Sequence, residues 1–346
     1  MTVTHLEKRD TVGRHSPRSS VIGRIFQNRY AGALISLVLV GAFLAVTQPV
    51  FLTWPNLMNI VKSNSVVFIL ALGATYVVIS GAVDLSVASA TAASAMVLGL
   101  LLLAGMPAPL AVVVAVLFGA LLGAINGTLV SYFKISFFVV TLGTLSVFQS
   151  FALIVNDGAS VSVFSTAGFK PINAFVNGSL GPFPKILVFD LVLLLLAGGI
   201  LRYTAFGRAL YAIGANPEAA RLNGIDVRKV MLAVFIIAGL MAGLGSVVQV
   251  GRLTSASAEV DPTLLLTVLA AVLIGGTAFT GGEGGVFGTM IGVLFLGVIQ
   301  NGLTLSGVSS FWQGMVSGLI LIMAVWLGGL RQLLRRRRLS DTSKQH

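Results

Sequence analysis

The sequence predicts an all-α integral membrane protein with about ten transmembrane helices, a broken or re-entrant segment and a short helix in a cytoplasmic loop. Composition is the first evidence: the 346 residues are 56% hydrophobic and only 10% charged, and the mean hydropathy is +0.98. A soluble domain carries about 25% charged residues, so this chain could not keep its surface in water. Several apolar runs also reach the roughly 20 residues that a membrane-spanning helix needs.

Basic residues indicate which helix ends face the cytoplasm. Most of the 22 Lys and Arg residues lie in residues 1–29, in the polar segment 203–229 and in residues 331–346. Because basic residues concentrate on the cytoplasmic side of membrane proteins, all three regions are predicted to lie there. We expect a disordered basic tail (1–29), a membrane domain (30–330) and a basic C-terminal tail (331–346). This distribution does not favour nucleic-acid binding, although the net charge is +11.

Ten apolar segments are predicted to span the bilayer. An even number places both tails on one side, and six spans ahead of the segment 203–229 place that segment on the same side. The predicted spans are 30–50, 57–80, 85–104, 108–130, 135–156, 186–202, 230–251, 263–280, 286–306 and 308–330.

Two regions are predicted to depart from plain spanning helices. The connection 157–185 is rich in Gly, Ser, Asn and Pro, which predicts an outer surface loop with a short helix of its own. The span 263–280 runs into Gly275 and Gly276 and further glycines, so the chain is predicted to break or re-enter there.

Small residues recur at a spacing of four, which lets membrane helices approach closely. Packing within the chain is the favoured interpretation, and a dimer contact is the alternative. The stripes are Gly119, Gly123 and Gly127; Gly239 and Gly243; and Gly288 and Gly292.

The residue inventory excludes several kinds of chemistry. The chain has no Cys, and its three His residues are His5, His15 and His346, all in the tails. Thiol catalysis and a Cys or His metal site within the membrane are therefore not expected. No G-x-x-x-x-G-K-[ST] string occurs, so the chain lacks a phosphate-binding P-loop and is not expected to hydrolyse ATP. We predict no catalytic residues, no metal and no cofactor bound by this chain.

The segment 203–229 is predicted to contain a capped helix. Asn216 is a good N-cap, Pro217 suits the first helical position, and Glu218 suits the positive end of the helix dipole. Gly224 suits a left-handed stop. So short a helix buries little by itself, which indicates docking of a soluble partner; an interfacial helix lying on the membrane is the alternative.

Several strings of the sequence resemble one transporter family. Residues 218–224 read E-A-A-x-x-x-G, which is similar to the motif by which permease subunits of bacterial ABC importers dock onto their ATPases. Four longer strings resemble the ribose-type sugar permeases in their order and spacing over about 60–330. At Ala82 and Glu283 the residue differs from the one that is common in that family. These strings are GAVDLSV (81–87), GRALYAIGANPEAARLNGI (207–225), AAVLIGGTAFTGGEGGVFGTMIG (270–292) and NGLTLSGVSSFWQ (301–313).

The resemblance implies the permease subunit of a carbohydrate ABC importer in the bacterial inner membrane. It implies a second permease subunit, identical or related, cytoplasmic ATPase subunits that bind ATP-Mg, and a periplasmic or lipid-anchored sugar-binding protein. The expected cargo is a monosaccharide or related small polyol. In such a subunit the ATPase would dock on a coupling helix and its surroundings, namely Gly207, Arg208, Asn216, Pro217, Glu218, Ala219, Ala220 and Gly224.

Polar residues within the apolar spans have two interpretations each. Gly81 is predicted to break the chain between two spans. Asp84 follows it and opens an apolar helix, so we favour an N-cap near the cytoplasmic face, assisted by Ser86, over direct contact with substrate. Six amides could line a path for a neutral sugar, or could form hydrogen bonds between helices, and we expect fewer than half to line the path. They are Asn64, Asn126, Gln149, Gln249, Gln300 and Asn301.

Three other functions remain as alternatives. An ion-coupled secondary transporter would use a membrane carboxylate, for which only Asp84 and Asp190 are available. An ABC permease for branched-chain amino acids would share the architecture. An intramembrane enzyme lacks a set of catalytic residues.

Overall fold

The computed structural model describes residues 31–309 and 312–323, together with Trp326. The predicted tails, 1–29 and 331–346, lie outside the described residues. In chain order the elements are α1 (Ala31–Thr47), α2 (Trp54–Ile79), α3 (Val87–Leu103), α4 (Ala108–Ser131), α5 (Phe137–Ile154), β1 (Val161–Ser162), α6 (Phe169–Val176), β2 (Ser179–Leu180), β3 (Phe183–Pro184), α7 (Lys185–Tyr203), α8 (Ala205–Ala215), α9 (Pro217–Leu222), α10 (Val227–Leu253), β4 (Ser255–Ala256), α11 (Pro262–Ile274), α12 (Val286–Leu305) and α13 (Trp312–Met323).

The fold is mostly helical, and each of the ten predicted spans contains one of these helices. Six helices are long and apolar enough to cross a membrane: α2, α4, α5, α7, α10 and α12. The apolar stretches within α1, α3, α11 and α13 are shorter. The eighth predicted span, 263–280, was too long: α11 ends at Ile274 because the chain turns at Gly275 and Gly276, the latter with φ +87°.

Within the described residues, four two-residue strands accompany the helices. β1 pairs with β4 through Val161↔Ala256 and Ser162↔Ser255, and β2 forms a hairpin with β3. The predicted short helix of the loop 157–185 is present as α6. This helix lies against the end of α10, where the side-chain amides of Asn173 and Asn177 donate to the carbonyl of Gly251 at 3.2 and 3.0 Å.

The core is organised around α2 and α10. Every residue of α2 from Phe68 to its end at Ile79 is buried, as expected of a helix that is surrounded by protein on all sides. α10 packs against α4, α2 and α3, and α12 packs against α2 and α11. Buried polar atoms join these helices: Thr75 Oγ1 lies 2.7 Å from Thr289 Oγ1, and Tyr76 donates its hydroxyl hydrogen to the carbonyl of Ala197 at 2.7 Å.

Glycines bring α4 and α10 into backbone contact. A Cβ on Gly119 would lie 2.5 Å from the carbonyl oxygen of Gly239, and a Cβ on Gly239 would lie 2.9 Å from Cα of Gly123. A Cβ on Gly243 would lie 2.7 Å from Cα of Val116. Real side chains do not tolerate such distances, so these positions must be glycine for this crossing to exist. Packing within the chain is therefore the role of both stripes.

The third stripe joins the next pair of helices. A Cβ on Gly275 would lie 2.5 Å from the carbonyl oxygen of Gly288, and a Cβ on Gly292 would overlap the carbonyl oxygen of Ala271. α11 and α12 therefore approach each other closely at glycines on both sides, and the break at Gly275 and Gly276 lies beside this contact.

We expect Gly239→Ala to destabilise the protein, because the new methyl group would force α4 and α10 apart. Gly143→Ala in α5 is the matched control, since a Cβ there meets nothing within 4 Å and Ala is favoured over Gly in a helix by about 1 kcal/mol. The measurement is the temperature at which the detergent-solubilised chain loses its monodisperse peak in size-exclusion chromatography. Equal midpoints for the two variants would contradict this account of the crossing.

Candidate functional site

The polar segment 203–229 folds into two short helices between α7 and α10. Thr204 begins α8 and accepts a hydrogen bond from the amide of Gly207 at 3.1 Å. Gly207 fits tightly under the end of α7, since a Cβ there would lie 2.6 Å from the carbonyl oxygen of Ile200. α8 buries Leu210 and Ile213 and packs against α7, α2 and α10. The segment is therefore firmly attached to the helical core.

The capping predicted for α9 is present in detail. Asn216 Oδ1 accepts hydrogen bonds from the amides of Glu218 and Ala219, each at 3.0 Å, and Pro217 occupies the first helical position. Gly224 follows the helix with φ +80°, a backbone conformation that residues other than glycine rarely adopt. These local bonds hold α9 in place, although it has only six residues.

α9 exposes a charged face and buries a small anchor. Ala220 is buried, whereas the side chains of Glu218 and Arg221 are exposed and form an ion pair. The hydrogen bond from Arg221 lowers the pKa of the Glu218 carboxyl, and the same bond raises the pKa of Arg221. Leu222 is 76% exposed beside them. The exposed surface of α9 therefore combines an apolar side chain with an ion pair.

Arg208 lies at the edge of an open cavity of about 640 Å³ between α8 and the start of α10. The cavity is also lined by Phe206, Ile225 and Lys229. Lys229 is held there by an ion pair with Asp226, whose side chain also accepts from the Lys229 amide at 3.2 Å as the N-cap of α10. These hydrogen bonds from Lys229 lower the pKa of Asp226.

A first helix interruption separates α2 from α3. Gly81 has φ +83°, and the carboxylate of Asp84 accepts from the amide and hydroxyl of Ser86 at 2.8 and 2.6 Å. Ser86 itself is the N-cap residue of α3, and no side chain caps this helix. Asp84 therefore stabilises the turn two residues before the N-cap, and the prediction that Asp84 is itself the N-cap is wrong. Asn126 on α4 donates to the Ser86 hydroxyl at 2.8 Å and so ties α4 to this turn.

A second interruption, the glycine loop Gly275–Gly285, separates α11 from α12. Its backbone turns repeatedly through positive φ, at Gly276, Gly281, Gly282 and Gly284. The amide of Ala278 donates to the carbonyl of Glu283 at 3.1 Å and closes the loop. The break predicted at Gly275 and Gly276 is thus present.

Of the six predicted path amides, four form hydrogen bonds inside the protein. Asn64 donates to the carbonyl of Ile60 at 2.8 Å and lies against Gly297 of α12. Gln149 donates to the carbonyl of Ala258 at 2.9 Å, and Asn126 contacts Ser86 as described. The fourth is Asn301, which exchanges hydrogen bonds with Asn56 on α2 at 2.9 and 3.0 Å.

Gln249 and Gln300 are half-buried, and their side chains form no hydrogen bond with the described residues. Sequence reasoning missed Asn56 because its hydrogen bond is to a residue 245 positions away.

The described residues contain no group of three His, Asp or Glu side chains that could hold a metal ion.

We expect Asn301→Leu to destabilise the helix pair by about 1 kcal/mol, because it leaves Asn56 without its partner on α12. Adding Asn56→Leu should recover part of that loss, and the measurement is a double-mutant cycle of unfolding in mixed micelles. If Asn301 has only this structural role, the double variant should transport as the wild type does. Full stability with lost transport would instead assign Asn301 to the path.

Comparison with known proteins agrees with this architecture. A family model described as branched-chain amino acid transport system / permease component matches residues 56–325. The D-allose transport system permease protein AlsC of Escherichia coli is 36% identical over 307 residues, which cover 88% of this chain and 93% of that protein.

Two further relatives cover the chain to a similar extent. The ribose import permease protein RbsC of Escherichia coli is 34% identical over 301 residues, covering 87% of this chain and 94% of that protein. The galactose/methyl galactoside import permease protein MglC of Salmonella typhimurium is 31% identical over 323 residues, covering 87% and 94%. No solved structure gives a significant match. The chain therefore belongs to this family of integral-membrane transport-system permeases.

Proposed function

We propose that this chain is the membrane-spanning permease subunit of an ATP-driven ABC importer for a monosaccharide or related small polyol. The observation that carries the proposal is the similarity over almost the full chain to permeases named for allose, ribose and galactose. The exposed, capped helix α9 supports it, because a permease without its own ATP site needs a surface on which an ATPase can act.

The docking surface for the ATPase is centred on α9. Glu218, Ala219 and Leu222 face outward, while Asn216, Pro217 and Gly224 fix the ends of the helix. Gly207 and Arg208 lie on α8, and Ala220 anchors α9. The residues that cap α9 belong to the same segment, so the helix is already formed before a partner binds. Binding therefore costs little conformational entropy.

The helix count and the basic residues support the predicted topology. Ten helices correspond to the ten predicted spans, six of them ahead of the segment 203–229. If all ten cross the inner membrane, both termini and this segment lie in the cytoplasm, where their Lys and Arg residues are favoured. The loop that carries α6 and the strand β1 then lies outside, available to a sugar-binding protein.

Transport proceeds by alternating access in a pair of permease subunits. The binding protein delivers the sugar from outside, and ATP-Mg in the ATPase subunits drives the change between outward-open and inward-open states. We propose Gln249 and Gln300 as the contacts for sugar hydroxyl groups, because neither side chain forms a hydrogen bond with the described residues. Branched-chain amino acids are the alternative cargo, favoured by the description of the family model but not by the names of the relatives.

The first experiment is affinity purification of the tagged chain from its native host in mild detergent, with identification of co-purifying proteins by mass spectrometry. Near-stoichiometric recovery of a P-loop ATPase, lost when residues 216–224 are scrambled, would support the proposal and assign α9. A chain recovered without an ATPase even after cross-linking would contradict it and favour an ion-coupled transporter. Uptake of labelled sugars and of leucine by the intact complex then distinguishes the two cargo classes.

We expect Gly224→Val to weaken ATPase co-purification, because a β-branched residue is strained at φ +80° and would displace the end of α9. Gly224→Asn is the matched control, since Asn tolerates this left-handed conformation and a Cβ there meets nothing within 4 Å. Glu218→Lys should also weaken docking, as it replaces an ion pair by two neighbouring positive charges. Membrane insertion should be unchanged in all three variants, and wild-type docking of both Gly224→Val and Glu218→Lys would contradict the assignment.

A further inference from the structure

The end of α8 contacts both helix interruptions at one place, which we name the three-loop junction. It consists of Ile79–Gly81 after α2, Tyr211–Ala215 at the end of α8, and Gly281–Gly284 of the glycine loop. The amide of Gly282 donates to the carbonyl of Ile79 at 2.8 Å. The hydroxyl of Tyr211 donates to the carbonyl of Gly284 at 2.9 Å.

The junction is packed backbone against backbone. A Cβ on Gly281 would lie 2.8 Å from Cα of Gly81 and 2.9 Å from the carbonyl oxygen of Gly214. A Cβ on Gly282 would lie 2.8 Å from the amide nitrogen of Ala215, and one on Gly214 would overlap the carbonyl oxygen of Ile79. No flexible side chain separates the three loops, so a displacement of α8 is passed directly to both interruptions.

A second observation concerns unpartnered polar atoms beside the two interruptions. Among the described residues, two buried side-chain atoms lack a hydrogen-bond partner: Oδ1 of Asn126 and Oγ1 of Thr277. Asn126 is bonded to Ser86 of the first interruption, and Thr277 belongs to the glycine loop, where it lies against Gly284. An unsatisfied buried polar atom costs free energy, so a rearrangement that gives it a partner would be favourable. Both are found next to the interruptions that the three-loop junction joins.

We propose that α8, acting through Tyr211 and the three-loop junction, transmits the displacement of α9 to the two helix interruptions and rearranges them. Tyr211 is thus a positioning residue for transport, and the rearranged state exposes Thr277. This inference rests on the proposed function, because the displacement of α9 comes from the ATPase. The displacement of α9 then reaches the glycine loop directly through α8, and not only through the long helices.

The first test removes one hydroxyl. In Tyr211→Phe the ATPase should co-purify normally and hydrolyse ATP at the wild-type basal rate, while the amount of sugar transported per ATP falls about fivefold, as expected for the loss of one neutral hydrogen bond. Tyr203→Phe is the control, because Tyr203 is 75% exposed. A wild-type ratio of transport to hydrolysis in Tyr211→Phe would overturn the role of Tyr211.

The second test follows the loop itself. The chain contains no Cys, so Thr277→Cys introduces a single thiol at a position that is 2% exposed. In the complete complex, a membrane-permeant maleimide should modify this thiol slowly without nucleotide and faster during ATP turnover. Adding Tyr211→Phe should reduce that acceleration. Ser246→Cys, at a fully buried position in α10, is the control and should stay unreactive in both states.

The outcomes separate the two proposals. Modification of Thr277→Cys that does not respond to ATP, in a complex that binds the ATPase and hydrolyses ATP, would overturn the inference and leave the proposed function intact. Failure of the ATPase to bind the wild-type chain would overturn the proposed function and the inference together.

Discussion

The contact between α4 and α10 through glycine is the constraint on which the rest of the structure depends. Where Gly119 and Gly123 meet Gly239 and Gly243, the two backbones touch. In a membrane, helices gain little from the hydrophobic effect on associating, because lipid is as apolar as their side chains. Close van der Waals contact must supply the attraction, and glycine permits the closest approach. With α10 fixed against α4, its other sides are free to receive α2 and α3.

Polar atoms then define how the remaining helices are arranged around this pair. The reciprocal amide pair of Asn56 and Asn301 and the contact of Thr75 with Thr289 both join α2 to α12. Ser65 donates to the carboxylate of Asp190 at 2.9 Å and joins α2 to α7. Because hydrogen bonds in a low-dielectric interior require correct geometry, these pairs specify the register between helices as well as their proximity.

The sequence predicted local features well, because their causes are local. The capping of α9 depends on Asn216, Pro217 and Gly224, all within nine residues, and the structure shows the same bonds. The breaks at Gly81 and Gly275 were likewise visible as glycines next to apolar runs. Glycine spacing also predicted which helix faces permit close approach. Spacing does not show which helix packs against such a face, so the pairing of α4 with α10 was known only from the structure.

Long-range contacts escaped prediction for the same reason. Nothing near Tyr211 in the sequence indicates that its hydroxyl reaches Gly284, 73 residues further along the chain. The six amides looked equivalent as residues on apolar helices, and only their surroundings distinguish the four that are bonded from Gln249 and Gln300. Asp84 was predicted as the N-cap but lies two residues before it, because the sequence does not show where the turn ends and the helix begins.

The attachment of α10 at both ends has a consequence for communication across the membrane. Its 27 residues form a rod of about 40 Å, which starts beside the docking helix and ends at β4. At that far end, β4 is held by β1, and the carbonyl of Gly251 is held by two asparagines of α6 and the turn that follows it. A rod clamped at both faces cannot tilt on one side without shifting the other. On the proposed topology, a partner that binds outside and a partner that closes inside would therefore both displace the same helix.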